Sequence, residues 1–485
     1  MRVADRLDRL PLGRFHYRLL LLSGLGWLFD SLDTGLVSFV LARLKTEWHL
    51  TPGQVAFAGS AGLFGMFLGG ACAGSLADRF GRKAVFQWTL VWFSVATGLC
   101  AFAWSFESLV VLRVLVGFGL GGELPVAAAL VTEFAPAAHR GRLVVLLESF
   151  WAFGWAAAAI VADLLAGWAG ARGDAFPWRV AFLVGAVPAL YVFVLRRALP
   201  ESPRFLMARG RVDAAEAILR AVEAGSGVAP AVGPAAAPGA AAAPGMAAAP
   251  AGVTTPALAP DPPEAAARLR ELFTPALRRR TGVLWTLWFA MAFSYYGLFI
   301  WLPTLLVGRG YAEVQSFRFT LFITLAQIPG YFVAAWLVER AGRRVTLVSF
   351  LVLCAGAAWL FGRAAGTGDL LLWGCLVSFF NLGAWGVTYG YTPELYPTRV
   401  RGTGTGSAAA FGRIGGILAP LVVGRLMTAN GGAAAGAATG AAPGANGGFA
   451  AVFTVFTVIL LAGAAVVAIW GEETRGRTLE QIAGS

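Results

Sequence analysis

Six ionisable residues of this chain fall inside long apolar stretches, where a charge is costly. Five lie in the first half and one in the second, namely Asp30, Asp33, Arg113, Glu123, Glu148 and Arg413. Where water is excluded, a carboxylate needs a cation or a proton, and a guanidinium needs an anion. These positions therefore predict two kinds of chemistry: reversible binding of a proton and binding of a negatively charged group.

Asp33 and Arg113 are placed to form an ion pair. At 1.5 Å per helical residue, Asp33 lies ~14 Å and Arg113 ~9 Å from the outer ends of their stretches. Asp30 precedes Asp33 by three residues, on roughly the same helix face. Paired with Arg113, Asp33 stays ionised, whereas after separation in a dry cavity it takes up a proton. The alternative is a static structural ion pair.

The remaining charges are interpreted by their depth. Arg413 lies ~15 Å into its stretch, near the midplane, and its own half has no intramembrane acid. We expect it to bind the carboxylate of a ligand, the alternative being a pair with Asp30 or Glu123. Glu123 and Glu148, ~12 Å and ~8 Å from the inner surface, either relay protons or pair with basic residues of the adjacent loop, Arg140 and Arg142.

Aromatic residues are dense in the seventh and tenth apolar stretches. Of these, Tyr296 and Trp385 are predicted to line a cavity, together with the polar Gln327 and Asn381. One arginine and a set of stacking rings suit an aromatic anion as the ligand.

The elements that must position these residues are membrane helices. The chain has 485 residues, of which 58% are hydrophobic and 13% charged, with a mean hydropathy of +0.70. This composition excludes the soluble and disordered classes. The net charge of +12 arises from basic loops, so nucleic-acid binding is not expected. No Walker A loop, metal motif or nucleophile–base pair is found, which predicts a non-enzyme without a cofactor or metal.

Twelve stretches are long enough to span a bilayer. The predicted spans are 18–42, 53–76, 84–105, 107–131, 143–166, 178–197, 281–307, 317–338, 345–362, 369–391, 403–427 and 449–470. Most Lys and Arg residues outside them fall on the side of the termini, which places both termini in the cytoplasm.

The spans fall into two groups of six. The predicted regions are a 1–17 N-terminus, an 18–197 half, a 198–280 linker, a 281–470 half and a 471–485 tail. Within the linker, 204–223 and 264–273 are predicted helices, and 224–263 is an Ala/Pro/Gly tract that cannot form a core. A second such tract covers 429–447.

Two motifs repeat at an offset of 261 residues, one after spans two and eight and one after spans four and ten. They comprise Gly74, Asp78, Arg79, Gly81 and Arg82 with Glu339, Arg340 and Arg343, and Glu133 and Arg140 with Glu394 and Arg401. One shared offset for two motifs indicates two halves of the same orientation, the arrangement of major facilitator transporters. The charged clusters are predicted to gate the inner face by latching the two halves together.

Motifs in nearly every span resemble known sequences. The Gly74–Lys83 motif and Pro200–Arg204 resemble the sugar-porter branch of the major facilitator superfamily. A closer resemblance, to the bacterial niacin (nicotinate) permease family, rests on Trp27–Asp33, Gly121–Val126, Leu146–Trp151, Phe293–Gly297, Trp301–Pro303, Thr324–Tyr331, Phe379–Trp385 and Phe411–Gly416. The chain departs from these families in its two low-complexity tracts and at Glu472, where sugar porters have proline.

The resemblance implies an all-α fold of twelve transmembrane helices in two parallel six-helix halves. It also implies import of a small organic anion, nicotinate, with H+ by alternating access, in the bacterial inner membrane and as a monomer. In sugar/proton symporters the residues matching Asp33 and Arg113 are the coupling pair. In organic-ion transporters an arginine matching Arg413 accompanies anionic substrates. The alternative is a symporter or facilitator for another solute, an aromatic acid or a sugar.

Overall fold

The computed structural model describes residues 6–7, 11–136, 139–225, 269–397, 400–431 and 444–475. Within these ranges the chain is helical, without strands. Eleven helical stretches are long and apolar enough to cross a membrane. The predicted third span is also a helix, Arg82–Cys100, whose hydropathy is lowered by Lys83 and Gln87. The described chain thus confirms the all-α membrane fold, with helices at all twelve predicted spans.

The first six spans are built from seven α-helices. They are α1 (Arg14–Glu47), α2 (Pro52–Phe80), α3 (Arg82–Cys100), α4 (Phe106–Phe134), α5 (Arg140–Gly170), α6 (Trp178–Ala186) and α7 (Tyr191–Ala198). A 3₁₀ turn at Val187–Leu190 joins α6 to α7 within the sixth span. Pro188 explains this interruption, because proline cannot donate the hydrogen bond that a continuous α-helix needs.

The described parts of the linker and the last six spans are also built from α-helices. Their helices are α8 (Pro203–Ala208), α9 (Val212–Gly225), α10 (Arg278–Gly308), α11 (Glu313–Leu325), α12 (Gln327–Ala341), α13 (Arg343–Phe361), α14 (Thr367–Glu394), α15 (Arg401–Gly431) and α16 (Gly444–Trp470). The predicted 204–223 helix is broken at Gly210, whose φ is +71°. The 264–273 prediction holds only for a short helical turn at 269–271, and residues 264–268 and most of both tracts lie outside the described ranges.

Helix starts match the predicted spans because side chains cap them. The Thr51 hydroxyl accepts a hydrogen bond from the Gln54 amide at 3.2 Å, one residue before α2. The Ser105 hydroxyl accepts one from the Ser108 amide at 3.2 Å, one residue before α4. Such caps satisfy amides that have no partner within the helix. The helices exceed the predicted spans by a few residues because they continue beyond the purely apolar segment.

Glycines bring α2 and α4 into close contact. A Cβ atom added at Gly65 or Gly69 would overlap the α4 backbone at Val114 or Phe118. One added at Gly117 would overlap the α2 backbone at Gly62. The sequence places Gly117 in a pattern that also fits a dinucleotide fingerprint. Within a membrane helix such a pattern predicts close helix packing, and the contact of Gly117 with Gly62 is of this kind.

The first and last six spans meet mainly along three helix pairs: α2 with α15, α5 with α11, and α1 with α10. They are joined at the end of the bundle remote from the termini, hereafter the far side. There the Ser60 hydroxyl donates to the Ile417 carbonyl at 2.8 Å. Phe39 packs edge-on against Phe317, with 4.9 Å between ring centroids. The far side is therefore closed in this structure.

Gly424 of α15 is required for this closure. A Cβ atom at residue 424 would lie 2.6 Å from the Ala56 Cβ atom and 2.9 Å from the Pro52 carbonyl oxygen of α2. We expect Gly424→Leu to favour a state open on the far side by about tenfold, since overpacking costs about 1–3 kcal/mol. Maleimide labelling of Ser60→Cys, in a background without native cysteines, should then accelerate. Gly308→Leu is the control, because nothing lies within 4 Å of its added Cβ atom. Unchanged labelling would contradict the prediction.

Candidate functional site

A cavity of about 320 Å³ lies between the two groups of six helices. Its lining residues come from the middle of seven helices or from the part of each that is nearer the termini. They include Trp27, Met66, Phe67, Gly121, Trp151, Trp288, Tyr295, Tyr296, Trp385, Tyr389 and Arg413. Because the far side is closed, this cavity extends from the centre of the bundle toward the side of the termini.

Arg413 is the charged residue of the cavity wall. Its Nη1 atom donates to the Tyr296 hydroxyl at 3.2 Å and lies 3.6 Å from the Met66 sulfur. In the described chain it makes no ion pair, so neither of the alternative partners, Asp30 and Glu123, is bound to it. A guanidinium with only neutral partners retains donors for an anion.

Aromatic rings form the opposing walls. Trp27 packs on Trp151 with centroids 4.6 Å apart, and Trp385 stacks on Tyr295 at 6.1 Å. The Trp151 Nε1 atom donates to the Tyr295 hydroxyl at 2.7 Å, which links the two halves above the cavity. Tyr296 and Trp385 lie where the sequence predicts them. Trp27 and Trp151 were not predicted, although each lies three residues from a buried carboxylate, Asp30 and Glu148 respectively.

Gln327 and Asn381 lie behind the cavity wall. Both are buried, and the Asn381 amide donates to the Ser294 hydroxyl at 3.0 Å. Gln327 lies beside the Tyr295 hydroxyl. The structure does not place either residue among those that line the cavity. Periodicity puts a residue on an inward face but does not say whether a larger aromatic side chain covers it.

Asp33 and Arg113 form the predicted ion pair, with 3.0 Å between Asp33 Oδ2 and Arg113 Nη1. The Thr97 hydroxyl donates to the second carboxylate oxygen at 2.6 Å. Both charged side chains are buried among the first six spans, and neither lines the cavity. In this structure the ion pair is therefore formed.

Three other buried carboxyls lack an ion-pair partner among the described residues. Neither oxygen of Asp30 has a hydrogen-bond partner. Glu123 accepts one hydrogen bond, from the Thr89 hydroxyl at 3.2 Å. Glu148 Oε2 has none. Of the loop cations suggested as their partners, Arg142 is exposed and unpaired with either glutamate, and the side chain of Arg140 lies outside the described residues.

The repeated motifs form matching clusters on the side of the termini. Arg82 pairs with Glu133 at 3.1 Å, and Arg343 pairs with Glu394 at 3.0 Å. In each cluster another glutamate accepts from the first amides of the following helix: Glu201 from Arg82 at 3.0 Å and Glu473 from Arg343 at 2.9 Å. All of these contacts stay within one half. Among the described residues, these pairs hold each half together, and none of them joins one half to the other.

The other motif residues have local contacts. Gly81 and Gly342 have φ values of +99° and +93°, which favour glycine at these turns. The Arg79 and Arg340 guanidinium groups lie over the rings of Phe80 and Trp336. Glu339 is exposed, and Arg401 donates to the Pro393 carbonyl at 2.9 Å. The contacts of Gly74 and the side chain of Asp78 lie outside the described residues.

Comparison with known protein families identifies the family that has this architecture. Residues 39–484 match the family described as sugar (and other) transporter. The chain belongs to this family of the major facilitator superfamily. It is therefore a multi-pass membrane transporter, and its cavity lies where such transporters bind substrates.

Two relatives of this transporter are similar over nearly their whole lengths. It is 45% identical to the niacin transporter NiaP of Acinetobacter baylyi, over 99% of this chain and 100% of the relative. It is 40% identical to a putative niacin/nicotinamide transporter of Bacillus subtilis, over 96% of this chain and 98% of that one. Among solved structures, a partially occluded inward-open form of XylE from E. coli superposes with a TM-score of 0.70 at 18% identity, covering 96% and 99% of the two chains.

Glu472, where the chain departs from the sugar-porter pattern, has a structural role in this transporter. Its carboxylate forms two hydrogen bonds of 2.9 Å with the Arg280 guanidinium, which joins the end of the twelfth span to the start of α10. We expect Glu472→Gln to lower the free energy of unfolding by about 1–3 kcal/mol, since a charged hydrogen-bond pair is lost next to a buried arginine. Thermal unfolding in detergent measures this as a lower midpoint.

The matched control is Arg220→Gln. Arg220 forms an exposed pair with Glu216 at 4.0 Å, and its side chain is 74% exposed. Exposed pairs contribute little, so its midpoint should equal that of the wild type. Equal midpoints for all three proteins would show that the Arg280–Glu472 pair does not stabilise the fold.

Proposed function

We propose that this transporter imports nicotinate with a proton by alternating access. The observation that carries the proposal is Arg413, a guanidinium held by neutral partners in the wall of an aromatic cavity between the halves. Its planar fork matches a carboxylate, and the surrounding rings match a planar aromatic body. The two niacin-transporting relatives support the same substrate.

The structure corresponds to one state of such a cycle. The far side is closed by the Ser60–Ile417 and Phe39–Phe317 contacts, and the cavity extends toward the termini. With the termini in the cytoplasm, as the distribution of basic residues predicts, this state faces inward. We place the protein in the bacterial cell membrane, as a monomer and a non-enzyme.

We assign proton coupling to Asp33 and Arg113. The pair is buried, so separating its members leaves a carboxylate that is stable only when protonated. One proton moving with one monovalent anion gives electroneutral import driven by the pH gradient. Asp30, Glu123 and Glu148 are the further candidates for a proton path, since each has a carboxylate oxygen without a partner.

Another aromatic acid is the alternative substrate that the same cavity permits. A sugar is disfavoured because indole and phenol rings dominate the walls and the charged donor is a cation suited to an anion. A sugar would instead need several neutral hydrogen-bonding groups that face the cavity. Gln327 and Asn381, which would be suitable, lie behind its wall.

Uptake of labelled nicotinate into proteoliposomes tests the proposal. With an inward proton gradient, the label should accumulate above equilibrium, and unlabelled nicotinate should compete better than xylose. A collapsed gradient should leave only equilibration. Absence of nicotinate uptake by correctly folded protein would overturn the proposed substrate, and a screen of aromatic acids would follow.

A further inference from the structure

The cavity has an unsatisfied polar position besides Arg413. Trp27 lines the cavity, and its indole N–H is buried without a hydrogen-bond acceptor. This N–H faces Glu148, whose Oε2 atom is also buried without a partner. Buried polar groups are nearly always hydrogen-bonded, so a donor and an acceptor that lie side by side without a well-formed bond are placed to bind a polar atom of a ligand.

The other tryptophans of the cavity differ from Trp27. Trp151 donates to the Tyr295 hydroxyl at 2.7 Å, and Trp288 donates to the Thr392 hydroxyl at 2.9 Å. Trp385 faces the hydroxyl of Tyr389. Trp155 and Trp301 also have unsatisfied N–H groups, but neither lines the cavity. Among the tryptophans that line the described cavity, Trp27 is the one whose N–H is buried without a partner.

This position lies across the cavity from the anion site. Trp27 belongs to α1 and Glu148 to α5, both in the first six spans, whereas Arg413 belongs to α15 in the last six. Glu148 interacts electrostatically with Arg413 and with Tyr296, so the two positions are close enough for one small ligand to reach both. A ligand that does so has an anionic group at one end and a hydrogen-bonding atom at the other.

We infer that Trp27 and Glu148 form a second polar subsite, which binds the ring nitrogen of a heteroaromatic carboxylate whose carboxylate is held by Arg413. This inference rests on the proposed function and adds the group that distinguishes nicotinate from other aromatic acids. A neutral pyridine nitrogen accepts from the Trp27 N–H, and a protonated one donates to Glu148. Benzoate, which has the same charge and almost the same shape, leaves both groups unsatisfied.

Competition against labelled nicotinate uptake tests the subsite, with benzoate and isonicotinate as probes. Benzoate lacks the nitrogen, and isonicotinate carries it at the para position. In the wild type, benzoate should compete at least about tenfold less well than nicotinate, because a site with unpaired buried groups rejects an analogue that cannot bond them. Isonicotinate should also compete less well than nicotinate.

One variant deletes the indole N–H, and the other replaces the carboxylate, which accepts from a protonated ring nitrogen, with a neutral amide of nearly the same size. Trp27→Phe and Glu148→Gln should each bring the benzoate-to-nicotinate ratio of inhibition constants toward one, mainly by weakening nicotinate. Trp301→Phe is the matched control, since it deletes a buried, unsatisfied N–H outside the cavity, and its ratio should stay at the wild-type value. Gel filtration in detergent checks that each variant is folded.

The outcomes separate the two proposals. No nicotinate uptake by the wild type would overturn the proposed function and the subsite with it. Nicotinate uptake with equal competition by benzoate would overturn the subsite alone and leave the proposed function standing. A folded Trp27→Phe variant that keeps the wild-type ratio would also overturn the subsite. If the variants misfold, the wild-type comparison of the three acids decides.

Discussion

Replacement of Arg413 by alanine is expected to weaken nicotinate binding by about 10- to 100-fold, which is equivalent to about 1.5–3 kcal/mol for a charged hydrogen-bonded contact. The guanidinium is the charged group of the cavity wall, and its observed contacts are the neutral Tyr296 hydroxyl and Met66 sulfur. Without it, a carboxylate that enters the cavity loses its hydration and gains no counter-charge. Quenching of the fluorescence of the cavity tryptophans by nicotinate measures the affinity directly.

Two further variants make this result specific. Arg413→Lys keeps the charge but loses the planar fork, and should fall between the wild type and Arg413→Ala. Arg425→Ala changes an exposed arginine of the same helix and should bind nicotinate like the wild type. If Arg413→Ala binds with unchanged affinity, the carboxylate is held elsewhere and the orientation proposed for the substrate is wrong.

Asp33→Asn is expected to abolish accumulation while leaving exchange intact. With a proton gradient of one pH unit, worth about 1.4 kcal/mol, a coupled wild-type carrier concentrates its substrate about tenfold. The asparagine side chain binds no proton at the pH of either compartment, so the ratio of internal to external nicotinate concentration should fall to about one. Proteoliposome uptake measures this ratio, and counterflow of nicotinate without a gradient shows whether the variant still cycles.

The buried setting of Asp33 requires controls. Loss of one partner of a buried ion pair destabilises a protein by about 3–5 kcal/mol, so folding of the variant is checked by gel filtration and thermal unfolding. Asp174→Asn changes an exposed acid and should accumulate nicotinate like the wild type. Full gradient-driven accumulation by Asp33→Asn would assign coupling to another carboxyl, and Asp30, Glu123 and Glu148 would be tested next.

The membrane fold was predictable because its signals are local. Apolar length sets the spans, Thr51 and Ser105 cap helices where the apolar stretches begin, and the offset of 261 residues identifies two related halves. The Asp33–Arg113 pair was also predictable, because two opposite charges at similar depth in neighbouring spans gain most by meeting. Arg413, which its depth predicts as a ligand-binding residue, and Tyr296 and Trp385, which are predicted from the aromatic density of their spans, line the same cavity.

Other features depended on the orientation of each helix about its own axis and on how closely it packs against its neighbours. Glycines let α2 and α4 pack backbone to backbone, and the resulting arrangement decides which side chain on each inward face reaches the cavity. Trp27 and Trp151 do so, whereas Gln327 and Asn381 remain behind the wall. Likewise, the Arg82 and Arg343 clusters bind partners in their own halves, because a salt bridge needs contact within about 4 Å and Glu133 and Glu394 lie on neighbouring helices of the same half.

By itself, then, the sequence determined the membrane class, the twelve helices, the repeat and the charges available for chemistry, because hydropathy, capping and charge burial act along one helix at a time. Only the tertiary structure decided which aromatic rings enclose Arg413, which carboxyls have no partner, and that Trp27 and Glu148 face each other unsatisfied. Those outcomes depend on distances between helices that are remote in sequence. A change of a few ångströms in such a distance decides whether a charged group forms an ion pair or is left without a partner.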